Sequence, residues 1–94
     1  MFEGEYLNGK RNGKGKRYDI DGFLVYESEY LNGKRNGHGK EYYRGNLRFE
    51  GEYLYNFILK GKLYINGKLE FEGEFLYNKK WNGKGFDQNG NIIY

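Results

Sequence analysis

One stretch recurs along the chain and limits what it can fold into. Phe2 to Lys16 reads FEGEYLNGKRNGKGK. It returns at Tyr26 to Lys40 as YESEYLNGKRNGHGK, and in more altered form from Phe49 (FEGEYLYNFILKGK) and from Phe71 (FEGEFLYNKKWNGKG). The opening aromatics Phe2, Tyr26, Phe49, Phe71 and Tyr94 lie 24, 23, 22 and 23 residues apart. A period of this size is too long for one strand and too short for a domain. Each copy is therefore one supersecondary unit that buries its apolar side against the next.

Inside a unit, Phe2-Glu3-Gly4-Glu5-Tyr6-Leu7 alternates with the period of a strand. Asn8-Gly9 follows, a pair that accepts the positive φ angles of a tight hairpin turn. Gly13 to Tyr18 reads as the return strand, and Asp21-Gly22 turns the chain into the second unit. The same punctuation comes back at Asn32-Gly33, Gly45-Asn46, Asn66-Gly67 and Asn89-Gly90. The expectation is an all-β meander of about eight or nine short strands paired in sequence, with no helix. It forms a single domain, 1–94, with units of approximately 2–25, 26–48, 49–70 and 71–93. The chain opens inside a unit and a further one begins at Tyr94, so it reads as a segment that fits within a longer array.

Alternation assigns the faces. Phe2/Tyr6, Tyr26/Tyr30, Phe49/Tyr53 and Phe71/Phe75 form an aromatic column, packing or binding a partner, with glycines between the rings where a ring must lie flat on backbone. The opposite face carries Glu3/Glu5, Glu27/Glu29, Glu50/Glu52 and Glu72/Glu74 beside Lys14/Lys16, His38/Lys40, Lys60/Lys62 and Lys84. Strict alternation also puts Tyr18, Tyr42 and Leu7 there, which requires a bulge or a small apolar strip on that face. In the third unit an apolar segment, Tyr55 to Leu59, replaces the polar turn and is one residue shorter. The fourth, Asn78 to Asn82, reads as one residue longer than its counterpart. Phe57, Ile58 and Trp81 are thereby expected along a rim, as a contact surface. Lys10, Arg11, Lys34, Arg35, Lys79 and Lys80 fall at equivalent turns and make a candidate basic rim for anionic lipid.

Composition narrows the function. Aromatics are 20% of the chain, too many for a disordered segment, and Cys and Pro are absent, which excludes disulfides and a cysteine zinc site. No run is long and apolar enough for a membrane span and no leader is apparent, which points to the cytoplasm. A net charge of +3, with basic columns interrupted by acidic ones, argues against nucleic acid. Ser28 and His38 are the single Ser and His, and they occupy repeat positions filled elsewhere by Gly and Lys, so no nucleophilic triad can be assembled. The glutamate pairs recur in every unit opposite lysines, whereas a catalytic pair needs unequal surroundings. Gly13-Lys14-Gly15-Lys16 lacks the spacing of a phosphate loop. No catalytic, cofactor or metal residues are assigned, and the chain is read as non-enzymatic.

The units resemble MORN repeats, whose pattern runs aromatic-x-Gly-x-aromatic, then Asn-Gly, then Gly-x-Gly and a closing aromatic. Phe2 to Tyr18 and Tyr26 to Tyr42 follow it, the second departing at Ser28. The third lacks the middle glycine, and the fourth breaks off at Gly85-Phe86-Asp87 without the usual closing aromatic. The Glu-rich strands are also similar to variant MORN repeats of bacterial and protist proteins, some called antitoxin-like. The resemblance implies an elongated, twisted, single-layer antiparallel sheet of about four tandem 22–24-residue hairpins. Functionally it implies a rigid protein-protein scaffold, with peripheral attachment to anionic phospholipid or inhibition of a partner protein as alternatives. The implied partner is a protein, including a second copy joined through edge strands.

Overall fold

The computed structural model describes residues 1–93. Tyr94, the expected start of a fifth unit, lies outside the described residues. Eight strands follow one another: β1 Phe2–Leu7, β2 Lys10–Tyr18, β3 Leu24–Leu31, β4 Lys34–Tyr43, β5 Asn46–Leu54, β6 Phe57–Ile65, β7 Lys68–Leu76 and β8 Lys79–Gly85. They form one sheet in the order β1 to β8, every neighbouring pair antiparallel. The sheet is a single elongated layer, 46 × 29 × 15 Å. Four hairpins, β1β2, β3β4, β5β6 and β7β8, correspond to the four copies in the sequence.

Glycine sets the register. Gly4, Gly15, Ser28, Gly39, Gly51, Gly61, Gly73 and Gly83 are paired across every strand and form one row perpendicular to the chain. A Cβ on Gly51 would stand 2.2 Å from the Lys60 carbonyl oxygen and 2.8 Å from Gly61 Cα. The ring of Phe2 fills the space a Gly15 Cβ would need, and that of Tyr53 the space at Gly39. The rings therefore lie on bare backbone. Charge chooses which strands are neighbours: Glu3, Lys16, Glu27, Lys40, Glu50, Lys62, Glu72 and Lys84 are paired in that order across all eight strands. Each such pair contributes only about 0.2–1 kcal/mol. A slip of two residues would still oppose Glu to Lys but would drive glycine against a side chain, so the glycine row is the stricter constraint.

The inner core is aromatic. Phe49, Tyr53, Phe71 and Phe75 are buried, and Ile58 and Leu63 pack against them. Phe49 meets Tyr53 and Phe75 edge-on at centroid distances of 5.8 and 5.6 Å, and Phe71 meets Phe75 at 5.6 Å. Such pairs add about 0.5–1.5 kcal/mol beyond burial. The column loosens toward β1, where Tyr6 is 58% exposed.

Hairpin turns are two residues long, and the remaining residues between strands are taken up as bulges. In β2 the residues Asn12, Gly13 and Lys14 oppose Glu5 alone, and in β4 Asn36, Gly37 and His38 oppose Glu29 alone. The carboxylate fills the bulge: Lys14 N–H donates to Glu5 Oε1 (3.0 Å) and His38 N–H to Glu29 Oε1 (2.8 Å). In β6 and β8 the bulge holds one extra residue, Leu59 and Trp81. The fourth hairpin is therefore no longer than the third, a correction to the sequence expectation. The closing aromatic is also present: Phe86 pairs with Ile92 as Tyr18 pairs with Leu24. Both sites adjoin the same turn, in which Asp19 or Asp87 accepts two backbone N–H groups. The Asn91 and Asn89 amides hold the Asp87 carboxyl below its ordinary range.

Candidate functional site

Three surfaces are available, and they differ in what they leave free. From β4 to β7 the charged face is self-paired. Lys60 lies 3.2 Å from Glu52, Lys62 lies 3.6 Å from Glu72, and His38 Nε2 lies 3.3 Å from Glu50. Two open grooves of about 540 and 490 Å³ cross it above the glycine row, walled by these alternating charges. Among the described residues no group of three or more His, Cys, Asp or Glu could hold a metal. The two tyrosines that alternation assigned to this face belong to a strip of their own: Tyr18 pairs with Leu24 and Tyr42 with Leu47, and Tyr64 paired with Leu69, which sequence reading did not place there, continues it. Tyr42 donates to Glu27 at 3.0 Å. Burial and that acceptor push its phenol up to about 12.

The ring face changes character along the sheet. From β5 to β7 it is the buried aromatic cluster. Around β1 to β4 it carries phenols interleaved with guanidinium groups. Arg11 stacks on Phe2 with 3.7 Å to the ring centroid and reaches Tyr30 at 5.8 Å. Arg35 lies between Tyr26 (4.9 Å) and Tyr53 (4.7 Å) and pairs with Glu41 at 3.5 Å. Glu41 also accepts the Tyr53 hydroxyl. Burial, followed by that hydrogen bond to the carboxylate, raises the Tyr53 phenol well above its ordinary value. In the fourth hairpin Lys80 pairs with Glu70 at 2.6 Å and lies 5.3 Å from the Phe71 centroid. The expected basic rim is thereby corrected. Arg11, Arg35 and Lys80 are folded onto the aromatic column, where an Arg or Lys gains from the ring quadrupole. Lys10, Lys34 and Lys79 remain exposed at the turns.

The turn edge is the third surface. In the first two hairpins the turn pairs Asn8-Gly9 and Asn32-Gly33 have positive φ, a conformation suited to both residues. In the third and fourth the same positions hold Tyr55-Asn56 and Tyr77-Asn78, with φ of 46° and 52° at the tyrosines. Left-handed backbone costs a bulky residue about 1 kcal/mol or more. Around these tyrosines Leu54, Phe57, Leu59, Leu76 and Trp81 are all exposed, Tyr77 by 77% and Trp81 by 67%. The two turns are tied together, since Asn78 Oδ1 accepts the Ile58 N–H at 2.8 Å. Ile58 itself packs on the core, which removes it from the expected contact rim; Phe57 and Trp81 stay on the surface. Sequence reading passed over Tyr77, Leu54 and Leu76, and took Tyr55 and Leu59 only as part of the apolar third turn, not as contact residues. The loss of Asn-Gly at two of four equivalent turns was the signal for them.

The turns also stack on neighbouring units. Gly33 N–H donates to the Arg11 carbonyl, Asn56 N–H to the Arg35 carbonyl, and Arg35 N–H to Asn56 Oδ1, at 2.8 to 2.9 Å. Among the described residues no helix is long and apolar enough to cross a membrane.

No curated protein matches the chain. The MORN repeat family model matches residues 2–23 and 26–48, which are the first and second hairpins with their connecting turns. MORN repeats are in general protein- and membrane-interaction modules. The recurring hairpin, its glycine row and these matches together make the chain a member of the MORN repeat family.

Proposed function

We propose that the chain is a non-enzymatic interaction module, a rigid β-repeat scaffold that binds protein through the turn edge of its third and fourth hairpins. The observation that carries this reading is the pair Tyr55 and Tyr77. Each occupies a left-handed turn position that Asn fills in the other hairpins, and each is exposed beside further apolar side chains. A sequence that accepts backbone strain to display a ring at a surface has a use for the ring. A second copy of the chain is the first occupant to test, because the exposed rings of this edge would meet the same rings on that copy in a self-complementary apolar contact. Sedimentation velocity across a concentration series, with chemical cross-linking, should show self-association that a Tyr77→Asn/Trp81→Lys variant loses and a Lys10→Ala variant keeps. A wild-type chain that stays monomeric, and that recruits no protein the double variant fails to recruit, defeats the proposal.

The same edge favours one second reading. Lys79 is exposed beside Tyr77 and Trp81, and Lys10 and Lys34 are exposed at the turns of the first two hairpins, so the edge carries both the cations and the amphipathic rings found at lipid interfaces. Flotation with anionic but not neutral vesicles, lost when these three lysines become Glu, would support it. Equal flotation of the Glu variant would end it.

A further inference from the structure

The ring face of the first two hairpins holds a group of polar side chains that the turn-edge reading does not use. Tyr26 stands in register between Arg17 of β2 and Glu41 of β4. The Arg35 guanidinium lies 4.9 Å from the Tyr26 ring centroid on the same face, and Arg11 approaches Tyr30 from the far side at 5.8 Å. Beneath them Tyr30 is 6% exposed, and its hydroxyl is buried without a hydrogen-bond partner. It faces the Tyr26 hydroxyl without completing a hydrogen bond of ordinary geometry. A buried unpaired hydroxyl is costly, and a site that leaves one in the free state is incomplete.

Three guanidinium groups surround these phenols against one carboxylate, Glu41, and Glu41 is shared with Arg35 and Tyr53. Burial alone would push the Tyr26 phenol up, yet the Tyr30 hydroxyl and the Arg17 and Arg35 guanidiniums bring it below its ordinary value. The surroundings of that oxygen are arranged for negative charge. A negative ligand there would accept the Tyr26 O–H. Tyr26 oxygen would then be free to accept the Tyr30 O–H, which completes the orphaned group through a two-hydroxyl relay.

We propose that the Tyr26 hydroxyl with the Arg17 and Arg35 guanidiniums forms a binding site for a phosphate monoester, carried by a small molecule or by a lipid headgroup. Phosphate suits the donor set better than carboxylate. It carries about −1.5 to −2 charge at neutral pH and three acceptor oxygens, and guanidinium groups bind such oxygens in pairs. The site is separate from the lysine-lined turn edge, so it can fail or hold independently of the function proposed above.

The test is a titration of the isotope-labelled full chain with inorganic phosphate, read by NMR at the arginine side chains and the Tyr26 ring. Saturable shifts confined to Arg17, Arg35, Tyr26 and Tyr30 are expected. Arg17→Ala should weaken binding about tenfold or more, since it removes charge-assisted hydrogen bonds. Arg17 is exposed, so this variant should keep the wild-type melting temperature, which is measured alongside. Tyr26→Phe should weaken binding severalfold, Lys68→Ala should leave it unchanged, and Glu41→Gln should tighten it. A second arm uses phosphatidylcholine vesicles with and without a monophosphorylated inositol lipid. Arg17-dependent flotation assigns the phosphate to a headgroup, and solution binding without flotation assigns it to a small molecule. Shifts that do not saturate, that chloride reproduces at equal ionic strength, or that Arg17→Ala leaves intact overturn the proposal.

Discussion

Substituting alanine for Gly51 adds a single methyl group, yet it should be among the most damaging single changes available in this sheet. The new Cβ would lie 2.2 Å from the Lys60 carbonyl oxygen, 2.7 Å from Phe49 Cζ and 2.8 Å from Gly61 Cα. Two of these three neighbours are backbone, so no rotamer change relieves the contact. Relief requires β5 and β6 to part at the centre of their pairing, where ladder hydrogen bonds contribute about 1 kcal/mol each. Overpacking a dense interior typically costs about 1–3 kcal/mol before any bond is lost. Together these give about 3 kcal/mol or more, which moves a urea midpoint by roughly 1–3 M. Gly67→Ala is the reference. Nothing lies within 4 Å of its Cβ, and its φ of 78° leaves only the left-handed penalty, about 1–2 kcal/mol. Urea denaturation of both variants, followed by far-ultraviolet circular dichroism, compares them directly. A Gly51→Ala midpoint shift no larger than that of Gly67→Ala would refute the claim that glycine sets the register.

Other perturbations test other parts of the structure. Tyr55→Asn and Tyr77→Asn should each stabilise the fold by about 0.5–1 kcal/mol in thermal melts, because Asn occupies the same backbone conformation at Asn8 and Asn32. The same changes should weaken partner binding, as expected where function and stability compete. Glu29→Ala strips the acceptor from the His38 amide in the β4 bulge and should cost about 1–2 kcal/mol in urea. Glu52→Ala removes an exposed ion pair and should cost about 0.5 kcal/mol or less. Tyr42 is held protonated by burial and Glu27, with its folded value near 12 above the ordinary 10. Its contribution to stability is therefore complete below pH 10 and is lost as pH rises toward 12. Alkaline unfolding of Tyr42→Phe should lack that component, and an unchanged profile would show that the Tyr42–Glu27 contact does not govern it.

Most of the architecture was legible because hairpins are local. Asn-Gly marks a two-residue turn, alternation separates rings from charges, and a fixed period ties one unit to the next. The features that stayed hidden trace to the bulges. Arg11 and Arg35 were counted as loop residues, although the turn is only Asn-Gly and both arginines already belong to strands beside Tyr6 and Tyr30. The first two hairpins add two residues at the bulge, an even number that preserves alternation beyond it. The third and fourth add one, which reverses it, so Ile58 reaches the core although counting back from Lys60 places it outside. Phe86 escaped notice as a closing aromatic because Gly85 occupies the position of Arg17 and breaks the motif. The Arg-Tyr group was illegible for a different reason. Its members come from three strands, and nothing in a linear pattern reveals an unpaired hydroxyl.

Because the ladder joins each strand only to those next to it in sequence, the layer behaves as a graduated rod. One hairpin advances the sheet by about 10 Å, two inter-strand spacings, and sheet twist rotates it by roughly 40–50°. The Arg-Tyr group lies in the first two hairpins and the Tyr77-Trp81 edge in the last two, so their separation and relative bearing are set by the number of intervening strands. Inserting one hairpin between them would leave each chemistry intact while changing both the span and the azimuth. A partner that grips both ends would then lose its fit, although no residue it touches had changed.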